Sequence, residues 1–132
     1  MERVGVIWGG SLETAVTPTL RLSMKPDTVF KAYDLRGRTD TGELDAELYR
    51  RVGGALVGLL RPQAVAVGRD CRQSSPAFFD ALSSGITGAG ADVIDLGEVP
   101  TDLVYFWSGA HRVPGAMITA SHNPPEYNGL KL

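Results

Sequence analysis

The sequence has little cysteine, no long apolar run and no large excess of charge of either sign. Its single cysteine, Cys71, rules out an internal disulfide and fits a reducing compartment, so we expect a cytoplasmic protein. No apolar stretch is long enough to span a bilayer or to form a signal-peptide core. With 13 Lys and Arg against 15 Asp and Glu, the net charge of -2 supplies no basic face for nucleic acid or for an anionic membrane.

Length and composition predict one modest folded unit. The 132 residues are 43% hydrophobic and 21% charged, which is enough for a single core. We assign this domain to residues 24–132. Residues 1–23, which contain Gly9-Gly10 and scattered threonines, are predicted to be a flexible N-terminal extension. Met24 is an alternative start.

Between residues 45 and 119 the pattern alternates between helix and strand. Apolar residues recur at helical spacing from Asp45 onward, and Pro62 ends that run. Short apolar runs bounded by turn-forming residues predict buried strands. The predicted helices are 45–60, 75–88 and 103–108, and the predicted strands are 64–68, 93–97 and 115–119.

These elements predict an α/β fold. Ser75 is expected to cap the second helix with Pro76 at its first position, and Thr101-Asp102 to cap the third. The alternation of strands and helices is typical of parallel sheets with right-handed crossovers. We therefore expect three layers, α/β/α, with a mostly parallel, mixed sheet of about four strands that is incomplete at the C-terminus.

Residues 118–132 carry most of the functional information. A short apolar run ends at Thr119 and is followed by turn-forming residues, so it predicts a strand that delivers Ser121 to the carboxyl edge of the sheet. Open α/β sheets bind their ligands at that edge. Pro124-Pro125 stiffens the chain beyond the serine.

The end of the sequence predicts a reversal of the chain. Asn128-Gly129 is typical of a tight two-residue turn, because both residues tolerate positive φ. Residues 130–132 would then return as a strand that carries Lys131 towards Ser121.

The side chains around Ser121 favour phosphoryl transfer over acyl transfer. A phosphorylated serine needs cationic and hydrogen-bond-donating neighbours, and His122, Asn123 and Lys131 are such donors. Acyl transfer would need a Gly-x-Ser-x-Gly motif with an Asp and a His, whereas Ser121 stands between Ala120 and His122. The sequence therefore indicates a phosphoserine loop.

Two motifs resemble those of the α-D-phosphohexomutases, the phosphomannomutase and phosphoglucomutase enzymes. The first is Thr-Ala-Ser-His-Asn-Pro at 119–124, followed by Tyr-Asn-Gly-Leu-Lys at 127–131. The second is Phe-Lys-Ala-Tyr-Asp-Leu-Arg-Gly at 30–37, which is similar to the opening strand and loop of that family's first domain. The order and distance of the two motifs also agree with the family. The resemblance extends from about Met24 to Leu132.

The resemblance implies a reaction for Ser121. As a phosphoserine, it would give its phosphoryl group to a hexose 1- or 6-phosphate. It would then take one back from the resulting bisphosphate, after that intermediate has turned over in the site. The net reaction would be isomerisation of the hexose phosphate.

The resemblance also implies supporting roles for five other residues. His122 and Asn123 would line the phosphoryl pocket, and Tyr33 would shape the wall beside the serine. Lys131 and Arg36 would assist proton transfer and bind the substrate. Fixed cationic donors stabilise the charge that spreads over the phosphoryl oxygens in the transition state.

Magnesium is the cofactor that the resemblance implies, bound here only through a phosphate oxygen on Ser121. Family members carry three further domains, with an Asp-rich metal loop, a sugar-selecting loop and a phosphate-binding loop. Asp34, Asp40 and Asp45 have spacings that suit no metal loop. We therefore expect negligible turnover by this polypeptide alone, with the missing mutase domains supplied in cis or in trans. The alternative is a non-catalytic phosphoacceptor or binding module, or one subunit of a split mutase.

Two other segments allow functional interpretations. Residues 69–72, Arg-Asp-Cys-Arg, follow a predicted strand and could face the site, or they could form a solvated loop with a structural ion pair. Tyr105, Phe106 and Trp107 are expected to pack at a domain face. His111 is expected on the surface after a helix.

Overall fold

The structure, a computed structural model, describes residues 26–132, where strands and helices alternate. The predicted N-terminal extension and the alternative start at Met24 lie outside the described residues. The helices are α1 (Pro26–Val29), α2 (Ala46–Leu60), α3 (Ser75–Gly88) and α4 (Thr101–His111). The strands are β1 (Asp34–Arg38), β2 (Ala64–Arg69), β3 (Asp92–Glu98), β4 (Gly115–Ile118) and β5 (Tyr127–Lys131).

The strands form one mixed sheet in the order β1-β5-β4-β2-β3. Strand β2 is parallel to β3 and β4, whereas β5 is antiparallel to both of its neighbours, β4 and β1. The predicted mostly parallel α/β/α fold is therefore confirmed. The described sheet has five strands instead of about four.

Helices cover both faces of the sheet, with β2 at its centre. Val65 and Val67 belong to the main apolar core, which also contains buried residues of α2 and α3. On the opposite face, Gly68 lies against Val104 of α4, so closely that a Cβ at position 68 would collide with that side chain at 2.5 Å. Central parallel strands are apolar on both faces for this reason. None of the helices within residues 26–132 combines the length and the apolar character that a membrane crossing requires.

The helix boundaries confirm one prediction closely and correct two. Helix α2 begins after Asp45, whose carboxylate accepts a hydrogen bond from the Leu48 amide at 2.8 Å. The predicted cap of α3 is wrong by one residue, because Ser74 is the N-cap and Ser75 lies inside the helix. The predicted third helix, 103–108, is too short. Helix α4 begins directly after Pro100, whose extended backbone makes it the N-cap.

Tyr49 joins the outer helical layer to the sheet. Its ring is fully buried and stacks on Phe78 of α3, with ring centroids 4.2 Å apart. Its hydroxyl donates a hydrogen bond to the carbonyl oxygen of Gly129 in β5 at 2.9 Å. Burial raises the pKa of this hydroxyl far above its ordinary value, so it stays protonated and remains a donor. The position of β5 is thus linked to the helical core.

Candidate functional site

A cleft of about 600 Å³ opens at the carboxyl ends of β2, β3 and β4. Three loops contribute to its lining: residues 70–73 after β2, residues 99–101 after β3, and Thr119, Ser121, Asn123 and Pro125 after β4. Ser121 therefore lies just beyond the carboxyl end of β4, as the sequence predicts. This edge of an open α/β sheet is where ligands bind.

Ser121 has an unusual backbone conformation. Its φ is 55°, in the left-handed region that residues other than glycine adopt infrequently. Its amide donates a hydrogen bond to the hydroxyl oxygen of Thr119 at 2.9 Å. Its own hydroxyl is exposed, and Oγ lies 3.4 Å from Nδ1 of His122. The local structure thus presents the Ser121 hydroxyl to solvent at the cleft.

The predicted turn at Asn128-Gly129 is wrong. Both residues lie inside β5, and neither has a positive φ. The chain reverses earlier, over residues 119–126, where Ser121 supplies the left-handed residue. In β5, Gly129 is needed for lack of space, because a Cβ there would collide with the carbonyl oxygen of Leu35.

Asn128 is not a turn residue; it is a strand residue whose side chain makes buried hydrogen bonds. Its side chain is fully buried, and Nδ2 donates hydrogen bonds to the hydroxyl oxygens of Ser74 at 2.7 Å and Ser75 at 3.1 Å. Its Oδ1 accepts a hydrogen bond from the Gly129 amide at 2.8 Å. The tendency of Asn-Gly to form turns is therefore overridden by tertiary hydrogen bonds that connect β5 to the start of α3.

Arg72 holds the loop that contains Ser121. Its side chain is only 12% exposed, and its guanidinium donates to backbone carbonyl oxygens of this loop and of the first residue of β5. The four acceptors are Ser121 at 2.9 Å, Asn123 at 2.7 Å, Pro124 at 2.7 Å and Tyr127 at 2.9 Å. The loop after β2 therefore does contact the candidate site.

Asp70 supports Arg72 and also forms the ion pair that the sequence left open. Its carboxylate lies 3.1 Å from Nε of Arg72 and accepts a hydrogen bond from the Ser75 hydroxyl at 2.7 Å. Burial acts to raise the pKa of Asp70. Hydrogen bonds from the Ser75 and Thr119 side chains and the Arg72 amide, with the charge of the guanidinium, outweigh burial and lower it. Asp70 is therefore a carboxylate at neutral pH. The loop after β2 therefore lines the cleft and also contains the structural ion pair, but that pair is mostly buried instead of solvated.

The predicted site residues fall into two groups. Ser121, His122 and Asn123 share the loop after β4, and Ser121 and Asn123 line the cleft. The side chains of Tyr33, Arg36 and Lys131 do not belong to the cleft lining.

This second group lies on and beside strands β1 and β5. Arg36 forms an ion pair with Asp34 at 2.6 Å, and Tyr33 is 94% exposed. Lys131 stands opposite Asp34 in β1 and opposite Met117 in β4. Lys131 therefore lies beside Met117 in the middle of β4, whereas Ser121 lies in the loop after that strand. The roles of these three residues stay predictions.

Sequence reasoning missed most of the supporting residues. The sequence leaves open whether the segment that contains Arg72 faces the site. It does not identify Thr119 and Asn128 as hydrogen-bonding groups. One available signal was that residues 69–72 follow a strand predicted to lie in the same parallel sheet as the strand before Ser121. Carboxyl ends of parallel strands share one edge, which brings such loops together.

The carboxylates near the cleft do not form a metal centre. Across residues 26–132, no three His, Cys, Asp or Glu side chains come together in a way that could hold a metal ion. Asp70, which lines the cleft, is already occupied by Arg72 and Ser75.

The aromatic segment of α4 lies on the surface. Tyr105 is 50% exposed and Phe106 is 72% exposed, so their predicted packing at a domain face stays a prediction. His111 is exposed as predicted, but it is the last residue of α4 instead of following it. Its ring stacks on Trp107, with centroids 3.8 Å apart.

Comparison with known proteins identifies relatives over most of the chain. Residues 27–132 match the family model described as phosphoglucomutase/phosphomannomutase, alpha/beta/alpha domain I. The chain is 48% identical over 104 residues to a phosphohexose mutase of Xanthomonas campestris, which covers 78% of this chain and 23% of that protein. It is 44% identical over 106 residues to a phosphomannomutase of Salmonella typhimurium, which covers 80% of this chain and 23% of that protein.

A solved structure from the same family also resembles this chain in fold. The crystal structure of a phosphoglucomutase/phosphomannomutase family protein from Burkholderia thailandensis has a TM-score of 0.67 to this chain at 42% sequence identity. The match covers 77% of this chain and 25% of that one. The chain thus spans about a quarter of the length of the relatives it matches.

Proposed function

Since the chain belongs to the phosphoglucomutase/phosphomannomutase family as its domain I, we propose that Ser121 is the phosphoserine of a mutase that interconverts hexose 1-phosphate and hexose 6-phosphate. The observation that carries this proposal is the placement of Ser121 at the cleft. A serine with a left-handed backbone and an exposed hydroxyl stands at the ligand-binding edge of the sheet, in a loop that Arg72 holds.

The proposed reaction has two phosphoryl transfers. In the first, a free hydroxyl of the hexose phosphate forms a bond to phosphorus as the bond between phosphorus and Oγ of Ser121 breaks, and the proton that the sugar hydroxyl loses is transferred to Oγ. The product is a hexose bisphosphate. In the second, Oγ of Ser121 forms a bond to the phosphorus of the other phosphate of this intermediate as the bond from that phosphorus to the sugar oxygen breaks, and the proton that Oγ loses is transferred to the leaving sugar oxygen. The net result is isomerisation.

The residues beside Ser121 suit this chemistry. Nδ1 of His122 lies 3.4 Å from Oγ, so an N–H group on Nδ1 would be within reach of a phosphate on that oxygen. Asn123 lines the same cleft. We assign proton transfer and charge stabilisation to Lys131 and Arg36, and contact with the substrate to both of them and to Tyr33. Fixed positive charge near the migrating phosphoryl group stabilises its transition state.

Residues 26–132 do not fit a magnesium site by themselves. Magnesium requires near-octahedral oxygen coordination, and this part of the chain brings no suitable set of carboxylates together. We propose that the mutase uses Mg²⁺ with Ser121 contributing one phosphate oxygen, and that the other ligands come from outside these residues. The phosphorylated substrates and the exposed single thiol of Cys71 are consistent with a cytoplasmic enzyme.

A domain replacement tests the proposed function. Residues 27–132 would replace the matching segment of the Salmonella typhimurium phosphomannomutase, and conversion of mannose 6-phosphate to mannose 1-phosphate would be measured. We expect turnover, and we expect Ser121→Ala to lower it by at least about 1000-fold, because the phosphoryl acceptor is lost. Ser84→Ala, at an exposed serine of α3, is the matched control and should leave turnover unchanged. A folded chimera without turnover, or a fully active Ser121→Ala chimera, would favour a non-catalytic phosphoacceptor.

The isolated chain should behave differently from the chimera. It spans about a quarter of its relatives' length, and we propose that the rest of the substrate's contacts come from further mutase domains in cis or in trans. Without those contacts, the orientation of the sugar phosphate is lost, and with it several kcal/mol of barrier lowering. Purified chain with glucose 1-phosphate or mannose 1-phosphate should show negligible turnover. Robust turnover would refute this part of the proposal.

A further inference from the structure

The guanidinium of Arg72 is saturated with acceptors. Its five N–H groups have five partners: the Asp70 carboxylate for Nε, and backbone carbonyl oxygens of the Ser121 loop and of Tyr127, the first residue of β5, for Nη1 and Nη2. The four contacts with carbonyl oxygens join residues that are 49 to 55 positions apart in the sequence. No N–H group of this guanidinium is left over for a substrate.

We propose that Arg72 is the positioning residue of the Ser121 loop: it holds the loop in the one conformation that presents Ser121 to the cleft, without touching the substrate itself. This inference rests on the proposed function for its catalytic consequence. Its structural part, the control of the Ser121 backbone by Arg72, stands on the hydrogen bonds alone.

The local geometry explains why a positioning residue is needed. A left-handed φ of 55° is unfavourable for serine by about 1 kcal/mol, so surrounding contacts must maintain it. Arg72 binds the carbonyl side of the loop at Ser121, while the Thr119 hydroxyl accepts from the Ser121 amide on the other side. Thr119 and Arg72 in turn both interact with the Asp70 carboxylate. The peptide groups on both sides of Ser121 are therefore anchored to one ion pair.

The chemistry also explains why the residue is an arginine. Lysine offers three N–H donors on a single nitrogen, whereas the planar guanidinium offers five at two ends of a fork. Two carbonyl oxygens bind Nη1 and two others bind Nη2, so the acceptors are distributed over both arms of the fork. Lysine could keep the charge beside Asp70, but it could not reach all of these carbonyl groups.

The first experiment measures the loop without requiring activity. The full chain, isotope-labelled, would be compared by NMR as wild type, Arg72→Ala and Arg72→Lys. We expect the Ser121 Cα and Cβ shifts to move towards random-coil values, and amide hydrogen exchange of Ser121, Asn123 and Tyr127 to rise by about tenfold or more. Amides of β2 should keep their protection. Arg72→Lys, which retains the charge beside Asp70, should stay folded and show the same changes to a smaller extent.

Arg69→Ala is the matched control. Arg69 also lies at the end of β2 and is ion-paired, with Asp95 at 2.7 Å, but it makes no hydrogen bond to the Ser121 loop. It should leave the Ser121 shifts unchanged. Added guanidinium ion, at a concentration that leaves the wild type unaffected, should restore the Ser121 shifts of Arg72→Ala but not those of Arg72→Lys. Unchanged Ser121 shifts in both Arg72 variants, or equal changes in Arg69→Ala, would overturn the proposal.

A second experiment tests the catalytic consequence in the chimera. Arg72→Ala should lower kcat by about 10- to 100-fold with little change in KM, because positioning acts on the transfer step and not on substrate binding. An Arg72→Ala chimera with normal kcat, or with a raised KM alone, would contradict a positioning role. If the wild-type chimera itself has no turnover, the proposed function fails, and the NMR comparison still decides whether Arg72 controls the loop.

Discussion

Two regions of the molecule are stabilised by different interactions. One is the interface between α2 and α3, and the other is the loop that contains Ser121. The helices meet through close apolar packing, and a Cβ on Gly53 or Gly85 would collide with backbone atoms of the facing helix. The loop depends on hydrogen bonds from one partly buried arginine. The helical layer therefore controls whether the protein folds, whereas the Arg72 contacts control which conformation Ser121 adopts. Mutations in the two regions should be separable by what they change.

The largest effect is expected from adding a methyl group between the helices. Gly85→Ala would drive a Cβ into the carbonyl group of Arg50, so the helices must separate, which we expect to lower the free energy of unfolding by about 3 kcal/mol. Urea denaturation would measure this. Gly58→Ala, at an exposed position in the last turn of α2, meets no atom within 4 Å and should raise stability by about 0.5 kcal/mol. Equal effects of the two substitutions would refute the packing argument.

A smaller loss is expected where β5 meets α3. Asn128→Ala removes the hydrogen bonds to Ser74 and Ser75 and leaves the Gly129 amide without its side-chain acceptor in a buried place. We expect about 2 kcal/mol of destabilisation. Ser74→Ala removes one of these contacts and should cost less than half as much. A neutral Asn128→Ala would mean that β5 does not depend on this network.

Tyr49→Phe isolates a single hydrogen bond. The ring can still stack on Phe78, while the Gly129 carbonyl oxygen loses one of its two donors and keeps the Thr119 amide at 3.0 Å. The expected loss is therefore about 1 kcal/mol in the free energy of unfolding. A loss as large as that of Gly85→Ala would show that the hydroxyl does more than hold β5.

The smallest effect is a pH dependence that belongs to Asp70. Its pKa is lowered in the folded protein, so its ionised form contributes stability above the unfolded-state pKa of about 3.9 and loses it as pH falls through the lower folded value. The stability difference between wild type and Asp70→Asn should therefore shrink on acidification from about pH 5 to pH 2. Denaturation curves across this range would measure it. A stability difference that stays constant from pH 5 to pH 2 would contradict a stabilising role for the ionised carboxylate of Asp70.

The fold could be predicted because its signals are local. The helical spacing after Asp45, the apolar runs of β2 and β4, and the turn-formers after Thr119 each act within a few residues, and they place Ser121 at the correct edge. The position of β5 between β1 and β4 is not encoded in this way. It depends on strand pairing between segments far apart in sequence.

The contacts that shape the site could not be predicted for the same reason. Asn128-Gly129 has the local character of a turn, and only the hydrogen bonds to Ser74 and Ser75 reveal why it is a strand. Arg72 reaches carbonyl groups, and a carbonyl group has no sequence signature. The sequence thus indicated the reactive serine, but the residues that fix its conformation became visible only in three dimensions.

The most direct test of the central claim is to map phosphorylation on the native protein. The polypeptide would be recovered from its own cells with an antibody to residues 118–132, and its phosphorylated residues would be determined by mass spectrometry. We predict that Ser121 carries a phosphate in a substantial fraction of molecules and that other serines do not. Native protein without phosphate on Ser121, or with phosphate only on a different serine, would contradict the role of Ser121 as the phosphoryl carrier.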